Sequence, residues 1–291
     1  MNPIKLDTLL SIEELFIEKG WDLNSGNVKS FSIYDRFCER LKLFNEDQQK
    51  LIIELTYNYT RVELANYLER FYESLISIGD HTFDFYDRIF IYPLLSPYKA
   101  TPSKTKSAGF LHYMFETDDY TWLSDKFIPN TSIKFLQDNF DNTDSLLILI
   151  DDFIGSGETA ISICSEYLNT STNKGKILPQ NVKVVSIAAQ KAGMAALKKS
   201  LNVDVISNMI FDRGISDRFK GKELNVKSHL MTEIENTIKV EKGYKFGYKK
   251  SEALITMLHK TPNNTFPVYW LETKTKIAPF PRKKKYNING R

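Results

Sequence analysis

The chain has 291 residues, of which 39 are Lys or Arg and 36 are Asp or Glu, giving a formal net charge of +3. With 42% hydrophobic, 13% aromatic and 26% charged residues its composition is globular, which excludes a disordered or collagen-like chain. Seven of the basic residues and no acid fall between Thr273 and Arg291, so the first 272 positions carry a net −4. The positive sign belongs to this tail (Lys274, Lys276, Arg282, Lys283, Lys284, Lys285 and Arg291), and the body is not a basic nucleic-acid binder.

The first 80 residues read as a helical leader. Asn45 followed by Gln48 has the pattern of a helix-start box. Leu51, Leu55, Tyr59, Val62, Ala65, Leu68, Tyr72 and Leu75 then recur every three or four positions, which predicts one long helix over 46–78 or two joined near Thr60. The two cysteines, Cys38 and Cys164, are far apart in apolar helical contexts, a pattern of buried thiols rather than of a disulfide scaffold. The four histidines show no metal-ligand spacing. The first fifteen residues lack the apolar core of a signal peptide, and the longest apolar run, Leu146 to Ile150, is too short to cross a bilayer. A cytoplasmic protein without a membrane partner is expected.

The pattern changes after Asp87. Arg88 to Leu95 is β-branched, aromatic and short, and reads as a buried strand ending at Pro93. A polar loop, Ser96 to Lys106, precedes a short helix near 109–115, and residues 117–143 show no firm period. Ser145 to Ile150 reads as a strand ending on two aspartates, and Thr159 to Asn169 as a helix. A strand follows over Val182 to Ala189, a helix over Gly193 to Ser200 and a strand over Val203 to Phe211. This alternation predicts an α/β fold: a parallel sheet flanked by helices, behind the helical leader. Further on, Ser251 is placed to cap a short helix ending near His259, Thr261 to Thr265 is a dense turn signal, and Pro267 to Trp270 reads as a short strand. The organisation expected is a leader over 1–80, an α/β domain over 81–272 and a basic tail over 273–291.

The segment richest in chemistry is 146–160, LLILIDDFIGSGETA. A buried parallel strand delivers Asp151 and Asp152 to its carboxyl end, where open α/β sheets bind ligands. Gly155 and Gly157 free the following turn to expose backbone N–H groups, and the helix starting near Glu158 adds its own. Such a turn suits a phosphate, whereas two acids repel one and suit hydroxyls. A diol beside a phosphate describes a ribose 5-phosphate. The alternative is a strand–turn–helix with an acidic cap and no ligand.

This segment resembles the phosphoribosyl-pyrophosphate signature of type I phosphoribosyltransferases: an apolar run (Leu146 to Ile150), two acids, two apolar residues (Phe153 and Ile154), then a small-residue turn closing on Thr. The resemblance implies that Asp151 and Asp152 hold the ribose hydroxyls and that Gly155, Ser156, Gly157, Glu158 and Thr159 cradle the 5-phosphate. It also implies Mg²⁺ held mainly by the ligand's own oxygens, and a pyrophosphate loop after the first strand. For that loop Lys99, Lys104 and Lys106 are the candidate cations and Ser103, Thr105 and Ser107 the candidate donors; a solvated polar loop is the other reading. Lys191 is a candidate on the acceptor side, or an ordinary surface lysine. Gly155 stands where purine-specific members often carry an Asp, which removes a purine-type general base. Residues 243–270, with their TPNNT segment, resemble the phosphoribosyltransferase-like proteins of bacterial conflict systems, including retron-type anti-phage systems. In that setting Asn263, Asn264 and His259 become hood candidates, against the reading of an Asx-turn.

Three functions stay open at this point. The first is a phosphoribosyltransferase acting on a nitrogen acceptor. The second is a non-catalytic nucleotide sensor or nucleic-acid-associated module on the same fold. The third is a defence effector held silent in a complex, with the leader or the basic tail meeting a partner protein or nucleic acid.

Overall fold

A computed structural model of the chain describes residues 3–23, 32–98, 107–118, 125–257, 260–273 and 275–282. Helices α1 (Leu6–Glu18), α2 (Ile33–Leu41) and α3 (Glu46–Thr56) come first, then a short strand, β1 (Thr60–Val62). Helices α4 (Tyr67–Ile76) and α5 (Asp80–Asp84) lead to β2 (Arg88–Pro93), α6 (Ser107–Thr117), β3 (Phe127–Pro129) and α7 (Ile133–Asn139). Next are β4 (Ser145–Ile154), α8 (Glu158–Leu168), the small strands β5 (Ser171–Thr172) and β6 (Gly175–Lys176), β7 (Val182–Gln190) and α9 (Lys191–Leu201). Strands β8 (Asp204–Ile206) and β9 (Met209–Phe211) are followed by α10 (Gly221–Thr237), β10 (Ile255–Met257) and α11 (Pro267–Trp270). The chain divides into two compact units, Glu63–Phe211 and Met1–Val62 with Asp212–Arg291.

The Glu63–Phe211 unit is α/β. Its six-stranded sheet has the order β3-β2-β4-β7-β8, with β9 also beside β7, and every pairing is parallel. The first six residues of β4 and the last five of β2 are buried, as expected of strands covered on both faces. Phe90, Tyr92, Leu147, Leu149 and Val184 pack with Ala160, Ile163, Cys164 and Tyr167 of α8 in one core. Burial pushes the Cys164 thiol up to about 12, so it is an inert packing group.

The other unit is built from both chain ends. Ile12, Phe16, Phe37, Leu51 and Leu55 share a core with Met231, Ile234, Val268 and Tyr269. In it β1 pairs in parallel with β10, Thr60 opposite Ile255 and Val62 opposite Met257. A loop over 246–252 holds Phe246, Lys249, Lys250 and Glu252 at φ of 59°, 56°, 52° and 50°, where side chains are disfavoured. Two buried carboxylates hold this loop. Glu235 accepts from the Phe246 N–H at 2.8 Å, and Glu252 accepts from the N–H groups of Ile215 and Ser216 at 2.8 and 2.7 Å. Burial first, and the neighbouring Glu252 among lesser causes, raise the Glu235 carboxyl to about 7.

The box at Asn45 is present in both directions, with Gln48 N–H donating to the Asn45 side chain and Asn45 N–H to that of Gln48. Four expectations are corrected. Of the two readings of 46–78, one long helix fails and two helices hold, but the strand β1 at Thr60–Val62 parts them where a direct join was expected. The break resets the phase, so α4 buries Tyr67, Phe71, Ser74 and Leu75 rather than Leu68 and Tyr72. The strand expected over 203–211 is two strands, both paired to β7. Residues 255–257 are strand rather than helix, and Pro267–Trp270 is a helical turn with Pro at its first position, where its missing N–H is harmless. Residues 117–143 also hold β3 and α7, which no period announced.

Candidate functional site

Strand β4 lies between β2 and β7, and it continues past the aspartates to Ile154 instead of ending on them. Asp151 stands opposite Ser186, and Phe153 opposite Ala188. The acids are therefore held in the ladder by regular backbone pairing. Asp151 is half-buried and Asp152 is 5% exposed.

The donors around them come from three elements. Ser107, the first residue of α6, donates its hydroxyl to Asp151 Oδ1 at 3.0 Å, and the Asp152 N–H donates to the same oxygen at 2.9 Å. Tyr67, the first residue of α4, donates its phenol to Asp152 Oδ2 at 2.9 Å. Burial first, and the neighbouring Asp152 second, hold the Asp151 carboxyl well above the usual carboxylate range. Burial and the charge of Asp152 likewise push the Tyr67 phenol far up, so it stays a donor at any working pH. Two adjoining carboxyls in such a place are relieved by a cation or by added hydroxyl donors.

The turn after β4 is fixed by a close backbone approach. Gly157 has φ +80° and caps α8 without a side-chain bond. A Cβ on Gly157 would lie 2.7 Å from the Gly193 carbonyl oxygen, and a Cβ on Gly193 2.1 Å from the Gly155 carbonyl oxygen. Helix α9 is thus seated directly on the 155–157 turn. Ser156 is half-buried, and Glu158 and Thr159 are exposed at the start of α8. The first N–H groups of α8 have no acceptor within the helix and carry the positive end of its dipole, a surface that favours an anion.

The fold brings Asp151, Asp152, Gly155, Ser156, Gly157, Glu158 and Thr159 together on one strand–turn–helix. Lys191 is the exposed first residue of α9, two positions before the contact at Gly193. The loop after β2 leaves over α8, with Ser96 bonded to Glu166 and Tyr98 to Thr170, and returns at Ser107. Lys99, Lys104, Lys106, Ser103, Thr105 and His259 lie outside the described residues. So do Lys274, Lys283, Lys284, Lys285 and Arg291 of the tail. Asn263 and Asn264 belong to the other unit, where the Asn264 amide donates to Ser251 at 2.7 Å and the Asn263 carbonyl accepts the Tyr248 N–H. Tyr67 and Gly193 escaped the sequence reading, since each acts through a contact far away in the chain. Among the described residues no group of three or more His, Cys, Asp or Glu could hold a metal ion, and no helix is long and apolar enough to cross a membrane.

A strand–turn–helix of this kind stands at the carboxyl edge of a parallel sheet, the edge at which open α/β sheets bind ligands. The PRTase-CE family model matches residues 36–282, and the chain belongs to this phosphoribosyltransferase-like family. The match runs from α2 to the last described residue and so includes segments of both units. No curated protein matches the chain.

Proposed function

We propose that the chain binds phosphoribosyl pyrophosphate at the carboxyl edge of the sheet and transfers its ribosyl phosphate to a nitrogen acceptor. The observation that carries this reading is the acid pair Asp151–Asp152 standing one turn away from the N-terminus of α8, within a family-matched strand–turn–helix. The acids accept hydrogen bonds from the two ribose hydroxyls. The N–H groups of residues 155–159 and the Thr159 hydroxyl hold the 5-phosphate. The nitrogen lone pair attacks C1, the bond from C1 to the diphosphate oxygen breaks, and its electron pair leaves with pyrophosphate. The acceptor nitrogen then loses a proton to solvent, since Gly155 supplies no base. The oxocarbenium-like transition state is stabilised mainly by electrostatics.

The donors available fit Mg²⁺, which takes oxygen ligands: the carboxylates of Asp151 and Asp152 and the hydroxyl of Ser107 are all oxygen groups. The ion would be held chiefly by the diphosphate and would neutralise its charge. Lys191, and Lys99, Lys104 and Lys106 of the loop after β2, are the cations assigned to the diphosphate and acceptor side.

Asp152→Asn removes a charged acceptor for a hydroxyl and should weaken phosphoribosyl pyrophosphate binding about 10- to 100-fold in calorimetry. Unchanged affinity would remove the site assignment. A second reading, a nucleotide sensor without catalysis, is favoured by Gly155, where an acid is missing. A sensor binds the same ligand and releases no pyrophosphate with any base, nucleotide or protein acceptor. The TPNNT-bearing segment supports a setting in bacterial anti-phage defence, in the cytoplasm, with the leader or the basic tail meeting a partner protein or nucleic acid. Nucleotide pools measured by mass spectrometry in cells expressing the wild type and the Asp151→Asn/Asp152→Asn variant test activity and acceptor class together. Identical pools would argue for the sensor.

A further inference from the structure

Apart from the acid pair, a cavity of about 600 Å³ opens in the unit built from the chain ends, a volume suited to a small molecule. Its aromatic wall is Trp270 and Tyr244, with ring centroids 6.0 Å apart and planes at 84°. The indole is locked in place, since its N–H donates to the Thr265 carbonyl at 2.7 Å. Three cations, Lys239, Lys276 and Arg282, share the lining, and none pairs with a carboxylate among the described residues. The Arg282 guanidinium is half-buried, and its hydrogen bond is a long one of 3.4 Å to the Thr261 carbonyl. Lys276 donates to the Thr237 carbonyl. Two acids also line the cavity: Glu272 is engaged by Arg36 at 2.9 Å, and Glu241 is exposed. Asn263 adds a side-chain amide with no partner among the described residues, both donor and acceptor.

We propose that this cavity is a second ligand site, separate from the acid pair, and that it takes a mononucleotide. A base lies against the Trp270–Tyr244 wall with its edge at Asn263, and the phosphate meets Arg282 and Lys276. A partly desolvated arginine without a carboxylate partner is a strong phosphate donor, and the face of a single aromatic ring accepts any base. A free phosphate would leave the aromatic wall unused, and a nucleoside would leave the cations unused. The whole lining lies inside the family-matched span.

The test is calorimetry on the full chain carrying Asp151→Asn/Asp152→Asn, so that failure of the acid-pair site is read separately. AMP, UMP, adenosine and inorganic phosphate are the probes. AMP or UMP should bind at one site per chain, with adenosine and phosphate each at least about tenfold weaker. Arg282→Gln should lower nucleotide affinity by at least about tenfold, and Lys276→Gln by a smaller factor, while Lys222→Gln on α10 changes nothing. Thermal melts of each variant show that it is folded, and Lys276→Gln carries the test if Arg282→Gln is not. Absence of AMP and UMP binding overturns the proposal. So does nucleotide binding that folded Arg282→Gln and Lys276→Gln leave unchanged, or phosphate binding as tight as AMP.

Discussion

Each unit of the molecule buries a pair of carboxylates, and the two pairs are held differently. In the α/β unit Asp151 and Asp152 accept chiefly from side chains, the hydroxyls of Ser107 and Tyr67. In the unit built from the chain ends Glu235 and Glu252 accept chiefly from backbone N–H groups, at Phe246, Ile215 and Ser216, with the Ser216 hydroxyl as a side-chain donor to Glu252. The first kind of donor can be exchanged for a ligand's hydroxyls without unmaking the fold. The second kind is the fold, since those N–H groups hold a loop whose residues sit at positive φ. The backbone adds a second difference. Beside the aspartates the left-handed position is a glycine with a carbonyl pressed against it; beside the glutamates Gly247 is another such glycine, under the Asn264 carbonyl, and four non-glycine residues at positive φ stand with it. A buried acid pair therefore points to a ligand only when its donors are replaceable and an anion-favouring surface adjoins it.

The sharpest way to break this comparison is Gly193→Ala. The new Cβ meets backbone and not a yielding side chain, so the variant should lose about 3 kcal/mol in urea denaturation. An unchanged midpoint would mean that α9 does not fix the turn. Next is Glu235→Gln. With its carboxyl raised from 4.5 to about 7, the folded wild type binds this proton more tightly than the unfolded chain. That contribution is complete below about pH 4.5, fades as pH rises to about 7 and stays lost above. The glutamine variant should lack this slope and exceed the wild type at pH 8 by about 2 kcal/mol. Parallel pH profiles would show that Glu235 is not strained by its charge. The smallest effect is expected from Tyr67→Phe, which removes one donor from Asp152 and should lower stability by about 1 kcal/mol in thermal unfolding. A loss as large as that of Gly193→Ala would place Tyr67 among the parts that hold the fold.

The strands β2, β4 and β7 were legible because burial on both faces writes them as mostly apolar runs, broken within β7 at Lys183 and Ser186. The acids and the glycine turn were legible because they sit on one contiguous segment. What the sequence hid was long-range. Tyr67 looks like one more aromatic on a helix until α4 is placed over β7, and Gly193 like a poor helix residue until α9 meets the turn. The run from Val203 to Phe211 looks uniform, yet at Ser207 and Asn208 the backbone leaves the ladder, and the Asn208 N–H donates to the Ser74 hydroxyl instead. Pro267 reads as the first residue of a short strand, but a missing N–H serves equally well at the first position of a helical turn.

The covalent path through the two units carries one more consequence. The chain leaves the first helices at Val62, completes the α/β unit by Phe211, and only then supplies the partners of those helices. On a ribosome the α/β unit can close while Ile12, Phe16 and Phe37 still lack Met231, Ile234 and Tyr269, for on the order of ten seconds at ordinary elongation rates. Truncation after Phe211 makes that interval permanent. Such a product should keep a sheet and yet aggregate through its orphaned leader, so a soluble minimal fragment begins at Glu63 and not at the first residue.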